Sequence, residues 1–111
     1  LAVGGAGSLE VAPGVQLLDT PQFPAQWKGT AEGARQALLL LRQQPDLDWT
    51  MLSPAAHLEP GERTGVFRLG ADQLLSDASG TSRISLADYA WAMLDELEQP
   101  KHRRQRFSVA Y

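Results

Sequence analysis

The stretch Leu47-Asp48-Trp49-Thr50-Met51-Leu52-Ser53, cut off by Pro54, constrains the fold of this chain more than any other. Trp49, Met51 and Leu52 supply the apolar surface of a buried strand, and Thr50 adds β-branching. Pro54 has no N–H to give to a sheet ladder and biases Ser53 towards extended geometry. The strand therefore ends near Ser53, and a loop carries His57 away. In open α/β sheets ligands collect outside the carboxyl ends of the strands. If the rest of the chain builds such a sheet, residues 53–57 lie on its working edge.

A parallel partner is available at the start. Leu1-Ala2-Val3 reads as the end of a buried strand and runs into Gly4-Gly5-Ala6-Gly7-Ser8, a tight turn in which backbone approaches a neighbour closely. This is not a pyrophosphate loop. Gly5-x-Gly7 lacks the third glycine, whose place Glu10 takes, and Pro13-Gly14 interrupts any following helix. Two readings stay open: close approach to a ligand, with Ser8 donating to it, or a structural turn with Ser8 bonded to backbone. Residues 15–18 read as a short extended piece. Thr20-Pro21-Gln22-Phe23-Pro24 forbids regular structure, and Phe23 and Trp27 are expected to pin this loop to the body. A helix is predicted from an N-cap at Thr30, with Glu32 in its first turn, to about Gln44. Ala34, Ala37, Leu38 and Leu41 share one face, and the run 38–41 widens it; Arg35, Arg42 and Gln43 are assigned to solvent. Pro45 ends the helix. Strand, helix, strand makes a βαβ unit with parallel strands.

Beyond His57, residues 59–65 read as an exposed loop. Val66-Phe67-Arg68-Leu69 and Gln73-Leu74-Leu75-Ser76 read as short strands of a small β insertion across one edge of the sheet. Ser85 with Asp88 resembles a capping box, and capping accounts for Asp88. In the helix that follows, Leu86, Tyr89, Ala90, Met93, Leu94 and Leu97 fall on one face. Pro100 stops it. Lys101-His102-Arg103-Arg104-Gln105-Arg106 reads as a solvated basic turn, and Phe107-Ser108-Val109-Ala110-Tyr111 as a last strand.

The 111 residues suffice for a single domain, 1–111. A net charge of −3 gives no general pull towards nucleic acid or membrane, and the basic turn interleaves no aromatics. With no cysteine, disulfides and thiolate chemistry are excluded, which fits a cytoplasmic protein. No His/Asp/Glu set has metal-ligand spacing, so no metal is predicted. His57, alone in its loop, reads as a surface histidine rather than an acid or ligand. The strand-like start predicts that the chain begins inside a larger domain.

Several segments together resemble the NAD(P)H-binding atypical short-chain dehydrogenase/reductase relatives, the NADH-flavin reductase-like and NAD-dependent epimerase/dehydratase-like proteins. Thr50-Met51-Leu52-Ser53-Pro54 resembles their T-I-L-R-P strand end. Arg83-Ile84-Ser85-Leu86-Ala87-Asp88-Tyr89-Ala90 resembles their I-S-x-x-D-x-A helix start, and residues 3–10 are similar to a strand end in one subgroup. The resemblance covers nearly the whole chain. It implies an α/β fold, the carboxyl-terminal portion of a Rossmann-like, mainly parallel sheet. The glycine-rich half that holds pyrophosphate and adenosine is expected to be missing, so that this chain binds a dinucleotide weakly or not at all and self-associates through exposed apolar surface.

The resemblance further implies an NAD(P)H-dependent oxidoreductase acting on a small-molecule substrate. This chain would supply the nicotinamide side of the site through Gly5, Ala6, Gly7, Ser8, Ser53, Pro54 and Ala55. Many relatives use a Tyr-x-x-x-Lys pair for proton donation. Neither tyrosine fits it: Tyr89 is followed by Met93 four residues on, and Tyr111 is last. Trp27-Lys28 stands near where some relatives carry Tyr-Lys. No catalytic residue is therefore assigned. The missing pair is compatible with a flavin (FMN or FAD) or a quinone as acceptor. It also motivates a second reading, a dinucleotide-binding regulator without turnover. A nucleotide-sugar epimerase or dehydratase is the third.

Overall fold

A computed structural model describes all residues, 1–111. In chain order the elements are β1 (Ala2–Val3), β2 (Glu10–Ala12), β3 (Val15–Gln16), α1 (Lys28–Arg42), β4 (Thr50–Ser53), β5 (His57–Glu59), β6 (Arg68–Gly70), β7 (Arg83–Ser85), α2 (Leu86–Glu98) and β8 (Gln105–Ala110). The main sheet has the order β1-β4-β8-β6, with β1, β4 and β8 parallel and β6 antiparallel to β8. This is the mainly parallel, Rossmann-like α/β architecture expected, and β1-α1-β4 is its βαβ unit. Every residue of β4 is buried, as a central parallel strand covered on both faces requires.

The pleat divides the core in two. Leu52 pairs with Phe107 across β4 and β8, and these two pack with Ile84, Val109, Tyr89 and Ala92 on the α2 side. Met51 joins Leu38 and Trp49 on the α1 side. β2 and β3 form a hairpin whose turn places Gly14 at a φ of 75°, the left-handed region open to glycine. β5 pairs with β7 in parallel, so His57 opens a strand rather than lying in a loop.

Several expectations need correction. α1 begins two residues before Thr30, because a single helical turn over Ala25–Trp27 leads directly into it, and no side chain caps it. Its sheet-facing residue is Leu38; Leu39 and Leu40 are exposed. Arg35 is not free in solvent but bonds Glu32, Asp19 and Gln16. Residues 73–76 form no strand: Gln73 makes only one isolated bridge, to Glu10. α2 buries Asp88, Tyr89, Ala92 and Glu96, and leaves Leu86, Ala90, Leu94 and Leu97 outside. The apolar face read from the sequence was rotated, because two carboxylates take core-side positions on this helix.

Both carboxylates are fastened. Ser85 Oγ accepts from the Asp88 N–H at 3.0 Å, the cap expected. The Asp88 carboxylate does not close a capping box back onto Ser85, so capping does not account for it: it accepts instead from Thr64 N (3.0 Å), Gly65 N (2.9 Å), Thr64 Oγ1 (2.8 Å) and the Tyr111 hydroxyl. Burial opposes its charge, but these donors outweigh burial and hold its pKa at about 2. Glu96 accepts from the N–H groups of Lys101 and His102 and faces His102 Nδ1 at 2.7 Å. The His102 ring stacks on Phe107 with centroids 4.1 Å apart. Lys101, Arg103, Arg104 and Gln105 are exposed as expected, whereas His102 is clasped by Glu96 and Arg106 is buried.

A carboxyl whose folded pKa lies below its unfolded value contributes stability above the unfolded value and loses it as pH falls through the folded one. For Asp88 that window runs from the ordinary 3.8 down to about 2. Thermal unfolding followed over this range is expected to show a fall in midpoint that is shallower in Asp88→Asn. Parallel pH curves for the two proteins would contradict this role.

Candidate functional site

Two turns meet at the carboxyl edge of the parallel strands. β1 passes into residues 4–8, β4 passes into residues 54–56, and the Gly4 N–H donates to the Leu52 carbonyl at 2.8 Å to hold the turns side by side. With the segment 20–27 and the start of α1 they enclose a cavity of about 680 Å³, within the usual size range of small-molecule sites. Of the residues singled out from the sequence, Gly5, Ala6, Gly7, Pro54 and Ala55 line it; Ser8 and Ser53 do not.

The glycines are explained by α1. A Cβ on Gly7 would stand 3.0 Å from the Ala31 Cβ and 3.2 Å from the Leu18 Cβ; one on Gly5 would stand 3.2 Å from the Ala34 Cβ. The neighbour that this turn approaches so closely is therefore the first half of α1. The turn's backbone is fixed as well, with Leu9 N donating to Ala6 O (3.0 Å) and Leu18 N to Gly7 O (2.7 Å).

The two serines converge on Arg106, which the sequence reading placed in the solvated turn. Arg106 is the second residue of β8 and is buried. Its Nη1 donates to Ser8 Oγ (2.8 Å) and Ser53 Oγ (3.2 Å), its Nη2 to the Ser8 carbonyl (3.1 Å), and its Nε to Asp72 Oδ1 (3.0 Å). Burial pulls the guanidinium pKa down and Asp72 pushes it back up. Asp72 also accepts from Arg42 of α1 at 3.0 Å. Pairing of Arg106 with Met51 across β4 and β8 puts it on the α1 side of the sheet. The signal in the sequence was the alternation Arg106-Phe107-Ser108-Val109, which extends the last strand back to include the arginine.

The cavity lining contains no Asp, Glu, Lys or Arg. Its aromatic wall is Phe23 and Trp27. Trp27 is 52% exposed, so it lines the cavity rather than pinning the loop to the core. Among the polar side chains, Thr20 Oγ1 is committed to the Leu17 carbonyl at 2.8 Å, leaving Gln22, Thr30 and His57. Neither tyrosine reaches this place. The Tyr89 hydroxyl donates to the Leu52 carbonyl at 2.6 Å inside the core, and burial pushes its pKa up to about 12. The Tyr111 hydroxyl is held by Asp88 and Ser85. No three His, Asp or Glu side chains gather as a metal would require. No helix of the chain is long and apolar enough to cross a membrane.

A sheet edge of this kind, with a cavity between two strand-end turns, defines the class: a Rossmann-like α/β fold. Comparison with known proteins agrees. No family model matches the chain. It is 49% identical over 112 residues to the uncharacterized protein YwnB of Bacillus subtilis, a match spanning 98% of this chain and 53% of that protein. Among solved structures, a candidate exported protein from Burkholderia pseudomallei is 54% identical, with a TM-score of 0.93 over 98% of this chain and 53% of that one. A candidate epimerase from Bacteroides thetaiotaomicron is 45% identical, with a TM-score of 0.95 over 98% of this chain and 51% of that one. A candidate NADH-flavin reductase from Streptococcus pneumoniae is 41% identical, with a TM-score of 0.91 over 97% of this chain and 53% of that one. The resemblance to NADH-flavin reductase-like and epimerase-like proteins is borne out, and the chain spans about half the length of the relatives it matches.

Removing a buried guanidinium strands its partners. Arg106→Ala is expected to cost about 1–3 kcal/mol in urea unfolding, because the buried Ser8 and Ser53 lose their donor, while the half-exposed Asp72 keeps Arg42. Arg106→Lys should recover only part of this, since an ammonium cannot span two serines and a carboxylate in one plane. A loss below about 1 kcal/mol for Arg106→Ala, the range of an exposed ion pair, would show that the network carries little.

Proposed function

We propose that this chain forms the nicotinamide- and substrate-facing side of an NAD(P)H-dependent oxidoreductase site, with a flavin or quinone as acceptor. One observation carries the reading: the turns after β1 and β4 line a single cavity at the carboxyl edge of the parallel sheet, the ligand position of open α/β folds. The likeness to a candidate NADH-flavin reductase supports it. Gly5, Ala6 and Gly7 offer backbone to one face of the nicotinamide, and Pro54 and Ala55 offer an apolar wall. Ser8 and Ser53 act from behind, by fixing both turns to Arg106. NADPH is expected to bind this chain only in the millimolar range, since one side of a site gives few contacts. Ala56→Trp, which fills the cavity, should abolish that binding in calorimetry. Unchanged affinity in Ala56→Trp would place the ligand elsewhere.

A second reading is a dinucleotide-binding regulator without turnover. It is favoured by the placement of both tyrosines, whose hydroxyls are committed to the core and to Asp88. Steady NAD(P)H consumption with any flavin or quinone would exclude it. An epimerase-like reaction is the third, supported by the Bacteroides neighbour.

We also propose that two copies associate along β1. This strand is an open sheet edge with Leu1 and Val3 exposed, and Leu97 of α2 is exposed across a depression it shares with Leu1. A strand edge is complementary to itself across a two-fold axis. Light scattering should give at least a dimer, and Val3→Lys with Leu97→Lys should give a monomer. A monomer of the unsubstituted 111-residue chain would contradict the proposal.

A further inference from the structure

The cavity lining has two parts in sequence. The two strand-end turns give backbone and small side chains, and the segment leading into α1 gives Phe23 and Trp27. Trp27 is half exposed although an indole gains by burial, and the helix it precedes leaves its ring against the cavity. Lys28, the next residue, is absent from the lining, as is every other charged side chain. A phosphate or carboxylate brought here would lose water without meeting a counter-charge. Gln22, Thr30 and His57 offer uncharged donors and acceptors suited to carbonyl oxygens and ring nitrogens.

We propose that Phe23 and Trp27 form the specificity-determining wall of a subsite for an uncharged, planar, conjugated ring bearing carbonyl groups. This rests on the reading of the cavity as a nicotinamide site and names what shares the cavity with the nicotinamide. Two sources share that chemistry, a quinone and the bare ring system of a flavin. In either case the ring is recognised by its faces and carbonyl edge, and a phosphate tail adds nothing within this cavity.

The three tryptophans give the test. Trp49 is in the α1-side core and Trp91 lies under the Arg63 guanidinium at 4.3 Å, so only Trp27 belongs to the cavity. The 111-residue chain is titrated with menadione, lumiflavin, FMN and NADPH in turn, and the indole N–H signals are followed by two-dimensional NMR, with Trp27→Phe assigning the Trp27 signal. Menadione, lumiflavin or both should shift the Trp27 signal and leave Trp49 and Trp91 in place, and whichever ring does so identifies the source. Trp27→Ala and Phe23→Ala, changes at an exposed and a half-buried position, should each weaken that ring at least tenfold. FMN should bind no tighter than lumiflavin. The proposal is overturned if neither ring moves the Trp27 signal, if both alanine variants bind as the parent does, or if FMN binds tenfold tighter than lumiflavin. NADPH reports separately: shifts confined to residues 5–7 and 55–56 with no ring binding would retain the nicotinamide reading and remove the subsite, whereas ring binding without those shifts would do the reverse.

Discussion

The buried Arg106 guanidinium is the interaction on which the working edge depends. It ties three segments that are distant in sequence: the glycine turn through Ser8, the end of β4 through Ser53, and the connection after β6 through Asp72. The same Asp72 holds Arg42 of α1, and its carbonyl accepts from the Glu10 N–H at 2.8 Å. Strand ends, hairpin and helix are thereby referred to one charge. The ion pair with half-exposed Asp72 adds little stability by itself. Its value here is geometric. The planar fork fixes the separation of the two turns that border the cavity, a spacing that apolar packing would leave soft.

A second set of bonds organises the opposite side of the sheet. Asp88 draws the loop around Thr64 and Gly65, the start of α2 and the end of β8 to one carboxylate. Glu96 closes the far end of the same helix onto His102. Both carboxylates occupy places on α2 that a purely apolar helix would give to leucine. This is why Leu94 and Leu97 are left outside, 57% and 65% exposed. The polar groups dictate the rotation of the helix, and the apolar surface follows.

That rotation shows where sequence reading succeeds and where it stops. β4, the βαβ unit and the Ser85 cap were legible because each is specified by adjacent residues: an apolar run cut by Pro54, glycines after Val3, a serine three residues before Asp88. The glycine turn and the Pro54 turn could be expected on one edge because parallel topology puts strand ends together. Arg106 was hidden in a basic run whose composition suggested water, and its partners lie 34 to 98 residues away. β5 was missed because its three residues gain strand character only from pairing with β7. Trp27 was expected to pin its loop to the body because indoles gain by burial, whereas here it is half exposed and lines the cavity. Long-range electrostatic pairing and cavity formation leave no local periodicity to read.

The central claim is that the space between residues 5–7 and residues 54–55 receives a nicotinamide ring. Transferred nuclear Overhauser effects suit the weak binding expected of one side of a site. With NADPH in excess over this chain, the account predicts cross-peaks from the nicotinamide ring protons to the methyl groups of Ala6 and Ala55, and none to Val66, which lines the separate depression beside Tyr111. Cross-peaks from the adenine ring to those alanines, with none from the nicotinamide, would contradict it.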